Sequence, residues 1–278
     1  MRMLARSGPA FFCASDYLQP YPNQNSPTDS GEEAHFYGVG PELLTQSVQV
    51  TAEFPHEAIV LFDGGADHLF VSMAGAEIDW PVEHGALVST NGNRPANRNH
   101  IVSRLHFRDA RIHFEFSLPP KPTGNSGIYI HGHYEEMQII NSLGKDKLTA
   151  SDIGALYGFA PPLVDACLES GRWQTYDILF HAPVRDSQGT IVEAGSISAT
   201  LNGQKVQDDV RFTQPRSPYH PFRYGTTPYL EKISQRQQKT KTGPLFLQDH
   251  GSPVRFRNIW VLPLDECAFL YDAEEAID

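Results

Sequence analysis

From Ala58 onward the chain runs in short apolar stretches separated by Asp-Gly, Asn-Gly, Pro-Pro or Gly-Pro punctuation, with hardly a helical period anywhere. Arg111-Ile112-His113-Phe114-Glu115-Phe116 alternates strictly. That predicts a strand with Ile112, Phe114 and Phe116 on a core, and Arg111, His113 and Glu115 facing outward or into a cleft. Gly127–His131 and Trp173–Phe180 read the same way. Further strands are expected over Ile191–Leu201, turning at Asn202-Gly203, then over Leu245–Gln248 and Val254–Leu262. Such spacing predicts an all-β fold, a sandwich of two antiparallel sheets around one core.

Two stretches interrupt this rhythm. Val210 to Thr242 holds Pro215, Pro218, Pro221 and Pro228 and then a polar run rich in Gln and Lys. It reads as a long insertion, about 210–242, and as a solvated excursion in preference to a helix over Leu230–Thr240. Leu143–Glu169 is a second long connection, with Tyr157 between Gly154 and Gly158. The flanks differ from the middle: residues 1–57 read as an irregular arm rich in Pro, Asn and Ser, and 265–278 as an acidic tail.

Composition narrows the partners. Against 33 Asp and Glu stand 22 Lys and Arg, a formal charge of −11, which repels phosphate backbones and anionic lipid surfaces. Nucleic acid is therefore excluded as an expected partner, and no apolar run approaches the ~20 residues of a membrane-spanning helix. Cys13, Cys167 and Cys267 cannot all pair within one chain and form no C-x-x-C, so neither a disulfide framework nor a zinc knuckle is expected. The start, Met1 to Ser7, carries the basic residues of a signal peptide, but the apolar stretch at Ala10–Ala14 is shorter than an ordinary h-region. It leaves periplasmic, secreted and cytoplasmic locations all open, as the sequence does the oligomeric state.

Four segments, taken in order, carry a family likeness: Asn125-Ser126-Gly127-Ile128-Tyr129-Ile130, Glu136-Met137-Gln138-Ile139-Ile140-Asn141-Ser142, Gly154-Ala155-Leu156-Tyr157-Gly158, and Pro244 through Trp260 with its Leu247-Gln248-Asp249-His250-Gly251 and Arg257-Asn258-Ile259. Leu61-Phe62-Asp63-Gly64, Trp173–Asp177 and Leu201-Asn202-Gly203 fit the same order. Over residues 58–264 the chain resembles the 3-keto-disaccharide hydrolase domain family. The resemblance implies a concanavalin-A-like jelly roll and action on oxidised glucosides. Three departures stand out: Tyr134 is followed by both Glu135 and Glu136 where the family has one residue fewer, an insertion a β-bulge accommodates; Asn141 replaces an acid; and the insertion precedes Gly243-Pro244.

In a 3-keto-glucoside the ketone acidifies the C2 proton, so the aglycone can leave C1 by elimination. That chemistry needs a base at C2, an electrophile for the enolate oxygen at C3 and an acid for the leaving oxygen. Glu136, two residues from Gln138 on one strand face, is the expected base, with Gln138 as hydrogen-bonding partner. His131 and His250 are the other expected catalytic groups, although Asp249-His250-Gly251 reads equally as a tight turn. Arg104, Gln138, Asn141, Tyr157, Gln248 and Arg257 are the expected sugar contacts. His131-Gly132-His133 with Glu136 also matches a weak metal-ligand pattern, so the expectation of no cofactor has a divalent ion on those three side chains as its alternative. Trp80, Trp173 and Trp260 read as core, Trp260 because it alternates with Phe256. A carbohydrate-binding domain without turnover remains the competing class, because the same amides and rings would bind hydroxyls.

Overall fold

The computed structural model describes residues 54–90, 99–120, 124–132, 134–188, 190–213 and 227–272, with the side chains of 134–136 outside that set. The elements run β1 (Ile59–Phe62), β2 (Phe70–Ser72), β3 (Val82–Glu83), β4 (Ala86–Val88), β5 (Ile101–Phe107), β6 (Ala110–Ser117), β7 (Asn125–Ile130), β8 (Tyr134–Ile140) and β9 (Trp173–His181). They continue with β10 (Val184–Arg185), β11 (Ile191–Glu193), β12 (Gly195–Leu201), β13 (Gln204–Phe212), α1 (Pro228–Thr240), β14 (Gly243–Leu247), β15 (Arg255–Pro263) and β16 (Phe269–Leu270).

Two antiparallel sheets face each other. The larger has the order β13-β12-β9-β6-β15-β4-β3, with β1 also on β15; the smaller has the order β16-β5-β14-β7-β8, with β2 also on β5. The alternation expected over 111–116 holds: Ile112, Phe114 and Phe116 are buried between the sheets beside Tyr176, Phe180, Phe256, Leu245 and Leu247. Each such ring or branched chain withdrawn from water contributes about 1.5–3 kcal/mol, so the shared core is the principal cohesive force. The architecture is the two-sheet sandwich that the alternation and turn spacing point to, and the jelly roll that the resemblance implies.

Bulges change which face two strands present. Ile130 pairs with Tyr134 while Tyr129 pairs with Glu136, so Glu135 is the extra residue of β8, as its doubled glutamate suggests. In β15, Arg257 pairs with Glu115 and Trp260 with His113, three steps against two. Asn258, at φ 48, absorbs the extra residue. Trp260 is thereby turned out of the core, which Ile259 and Val261 fill instead, and strict alternation from Phe256 misplaces it.

The insertion contains a helix. Thr227 caps α1 by accepting the Leu230 N–H at 3.2 Å, Pro228 opens it, Glu231 lies in the first turn, and Lys241 closes it in the left-handed region at φ 60. Tyr229, Leu230 and Ile233 make one buried stripe against Met73, Val102, Tyr129, Phe246 and Tyr271 on the outer face of the smaller sheet. Residues 214–226 of the insertion and all of the arm up to 53 lie outside the described residues. The stretch expected as one strand over 191–201 is two, split at Ala194 between different sheets. Within the expected tail, Phe269–Leu270 pairs with β5 and Tyr271 is buried.

Candidate functional site

Register assembles a polar row across four strands of the smaller sheet. Leu247 pairs with both Ile101 and Ile128, and Gly127 pairs with Gln138. His100, Gln248, Gly127 and Gln138 therefore stand side by side, on the outer face that α1 covers at its other end. Gly127 contributes no side chain between Gln248 and Gln138, and the row is buried. The next row is Val102, Phe246, Tyr129 and Glu136. Glu136 takes this position by its backbone pairing; its side chain is outside the described set.

Around Gly127 the side chains hold one another. Gln248 donates through Nε2 to the Tyr129 hydroxyl at 2.6 Å, and its main chain is fixed by the Gly127 carbonyl at 2.9 Å and the Ser126 hydroxyl at 2.7 Å. Gln138 donates through Nε2 to Asn125 Oδ1 at 3.0 Å, while Asn125 Nδ2 donates to His250 Nδ1 at 3.4 Å. His100 accepts the Asp249 N–H through Nδ1 at 3.1 Å. Three buried atoms in this group have no partner among the described residues, Gln248 Oε1, His100 Nε2 and Asp249 Oδ2. Burial, helped by the charge of His250, lowers the His100 pKa to about 3. Asp249 shifts the other way, its carboxyl raised by burial, then partly restored by the Gly251 N–H.

Of the residues expected from sequence, Gln138, Gln248 and His250 meet here. Tyr157 is half-buried in the turn that covers the edge of β8 away from β7, where Ala155 accepts the Gln138 N–H at 3.1 Å. Arg104 lies on the helix-covered half, near enough to Tyr229 for its charge to act on the phenol. Asn141 ties the end of β8 to Ser170 at 3.0 Å. His131 is a correction: β7 stops at Ile130, and His131-Gly132 forms a turn with φ 59 and 67. Its ring is fully buried between Phe107 and Phe180, with centroids 5.2 and 4.9 Å away, so it does not line the outer face. His133 lies outside the described residues, and with it the metal alternative that needs His131, His133 and Glu136. Among the described residues no group of three His, Cys, Asp or Glu could hold an ion.

Sequence reasoning missed His100, Tyr129 and Asn125 as members of the site. Asn125 and Tyr129 flank Gly127 with the right parity inside a motif already singled out; His100 carries no local signal, because its place depends on register with Gln248 of a strand far along the chain.

Arg257, also expected at the site, lies on the other sheet. On the outer face of the larger sheet a groove of about 830 Å³ is lined by Arg111, His113, Asp177, Thr200, Lys205 and Trp260, among others. Here His113 bonds Asp177 at 2.7 Å through Nδ1 and receives Asn258 Nδ2 on Nε2 at 3.2 Å. Asn258 also donates to Glu115 at 2.9 Å, Glu115 accepts Arg257 Nε at 2.7 Å, and the Arg257 guanidinium lies 4.0 Å over Trp173. Trp260 stacks on His113 at 4.8 Å.

The jelly-roll sandwich is of the concanavalin-A-like type, and its family match and structural likeness are those of a carbohydrate-active protein. More closely, residues 57–262 match the model of the 3-keto-alpha-glucoside-1,2-lyase-like domain, and the chain belongs to that family. Its fold is similar to that of a candidate glycosyl hydrolase from Parabacteroides distasonis, 27% identical, with a TM-score of 0.62 over 76% of this chain and 85% of that one. A second candidate glycosyl hydrolase from the same organism shares the fold at 22% identity and a TM-score of 0.50, over 75% of this chain and 94% of that one. No curated protein matches the chain. Among the described residues, no helix is long and apolar enough to cross a membrane.

Proposed function

We propose that the chain is an enzyme that cleaves 3-keto-glycosides, 3-keto-disaccharides among them, by elimination across C1 and C2 followed by hydration, a net hydrolysis. The observation that carries this is the row of Gln248, Gly127 and Gln138 on one sheet face with His250 at its rim, in a chain of the keto-glucoside lyase-like family. The amides of Gln138, Asn125 and Gln248 suit hydroxyl recognition because each offers both donor and acceptor.

Glu136 is the base in this proposal. It takes the proton from C2; the electron pair enters the C2–C3 bond and charges the C3 oxygen. Return of that pair expels the C1 oxygen, which leaves as an alcohol once protonated, with His250 the proton donor at the rim. The product is a C1=C2 enone, and addition of water to it restores a free 3-keto sugar. No step uses a metal: His131, enclosed between two phenylalanines on the opposite side of β7 from the row, does not fit an ion shared with the outer face.

Incubation with a 3-keto-disaccharide and, separately, its unoxidised parent tests the reading. Release of the aglycone from the first and none from the second is expected. Binding of the keto sugar without release would identify a carbohydrate-binding domain instead.

A further inference from the structure

We propose that His100 is the electrophile of this reaction, donating its Nε2–H to the C3 oxygen of the keto sugar as negative charge develops there. The assignment rests on the elimination reading and adds to it a residue that none of the family motifs contains.

Geometry fixes the proton. Nδ1 of His100 accepts the main-chain N–H of Asp249 at 3.1 Å, so the hydrogen of the neutral ring sits on Nε2. That nitrogen is buried and has no partner among the described residues. An N–H withheld from water and left unpaired costs about 1–3 kcal/mol, a cost that is recovered when a ligand oxygen takes the bond. The neighbouring chain is pinned: the Asn99 carbonyl accepts the Trp80 indole N–H at 2.9 Å, and the Asn99 amide donates to Asp79 at 2.8 Å. The ring itself lies 5.9 Å from that of Tyr129, whose hydroxyl already holds Gln248. His100 is thus a fixed donor in the row that Gln248 and Gln138 share.

Charge state agrees with this role. With its pKa lowered to about 3 by burial and by His250, the ring is neutral at any pH near 7. A neutral imidazole can polarise a carbonyl without giving up its proton, so the enolate receives a hydrogen bond and no proton transfer has to be reversed. Atoms balance with Glu136 and His250 alone carrying protons.

The test follows C2 deuterium uptake from heavy water and aglycone release, both on a methyl 3-keto-glucoside, for wild type, His100→Ala and His100→Gln. His100→Ala is expected to lower both rates by about 10²–10³-fold with KM little changed. His100→Gln, which keeps an N–H near Nε2, is expected to recover part of the loss, and the pH profile of kcat is expected to keep its shape. Circular dichroism of both variants separates loss of donor from loss of fold, and His100→Gln carries the test should the alanine variant not fold. Folded variants within threefold of wild type, or altered in KM alone, overturn the assignment while leaving elimination standing. A wild type that exchanges nothing at C2 and releases no aglycone overturns both.

Discussion

The outer faces of the two sheets carry similar residue types in opposite states. On the larger sheet, Asp177, His113, Asn258, Glu115 and Arg257 form a chain in which each named nitrogen already has a hydrogen-bond partner, and of its buried atoms only the Asn258 Oδ1 is left over among the described residues. On the smaller sheet, Gln248 and His100 are more deeply buried, yet each keeps one atom unspent among the described residues. A ring, a carboxylate and an amide close together are thus no sign of chemistry by themselves. A completed network holds strands together; an incomplete buried one is strained until something binds. The network of the larger sheet is closed over its buried nitrogens among the described residues, and so the smaller sheet, with its unspent buried atoms, is the better candidate.

The largest effect expected from this contrast is at Glu136. Glu136→Gln is expected to lower kcat by about 10²–10⁴-fold, the range for a general base, with the melting temperature unchanged because the amide is isosteric. His133→Ala is expected to do less. Equal damage from the two would end the assignment of Glu136 as base.

A double dissociation comes next. Gln138→Ala should reduce kcat/KM about tenfold, the worth of one hydrogen bond of about 1.4 kcal/mol, and barely alter the melting temperature. Glu115→Ala should do the reverse: it strands Arg257 and Asn258, both half-buried, and costs about 1–3 kcal/mol of stability while turnover is retained. Thermal melts and steady-state rates on the two variants decide it. Loss of turnover in Glu115→Ala would move the site to the groove.

Much of this fold could be read from alternation, since β6 and β9 fall within a residue or two of their expected limits and their inward positions are those of the core. What alternation could not give is parity after an extra residue. The Glu135 bulge was signalled by a doubled glutamate in a motif, whereas the Asn258 bulge carries no such signal, and it sends Trp260 and Arg257 to the same outer face. The helix was hidden for another reason. A polar, proline-preceded run resembles a loop unless Thr227-Pro228 is read as a cap and Tyr229, Leu230 and Ile233 as a stripe. Gln138, Gln248 and His250 were legible because they sit in motifs. His100 was not, because only the long-range pairing of β5 with β14 makes it their neighbour.

His106 sharpens the rule that unspent buried groups mark a site. Both its ring nitrogens lack a partner among the described residues, yet it lies under α1 on the covered half, stacked on Tyr271 at 5.0 Å and near Phe269 at 5.3 Å. Enclosure of this kind admits no ligand, so the group is a cost to folding alone. Burial, then the charges of His131 and Arg236, lower its pKa to about 3. The folded state therefore resists a proton that the unfolded chain takes near 6.5; the stability is full above that value and is lost as pH falls toward 3, at up to about 1.4 kcal/mol per pH unit for each such histidine. His106→Phe should flatten the fall of stability between pH 6.5 and 4 by one proton's worth and leave turnover at pH 7.5 intact. Denaturant unfolding at several pH values reads this directly, and a slope that does not change would mean that His106 is protonated in the folded protein.

The smallest expected effect is that of chelation. Expected activity after exhaustive treatment with a chelator is that of the untreated enzyme, and the reason lies in which side of β7 each group occupies. An ion that served the enolate would have to reach the row of His100, Gln248 and Gln138 on the outer face. His131, the ligand the sequence offers first, is enclosed between Phe107 of one sheet and Phe180 of the other, and a zinc-like ion must lie within about 2.0–2.1 Å of its nitrogen. The ion would then be inside the sandwich, with a layer of backbone between it and the sugar. His100 supplies the electrophile in its place, from the correct face and without a ligand set. Turnover lost on chelation, regained with a divalent ion and matched by one equivalent in elemental analysis, would instead make the metal the electrophile and return His100 to the role of an anchor for Asp249.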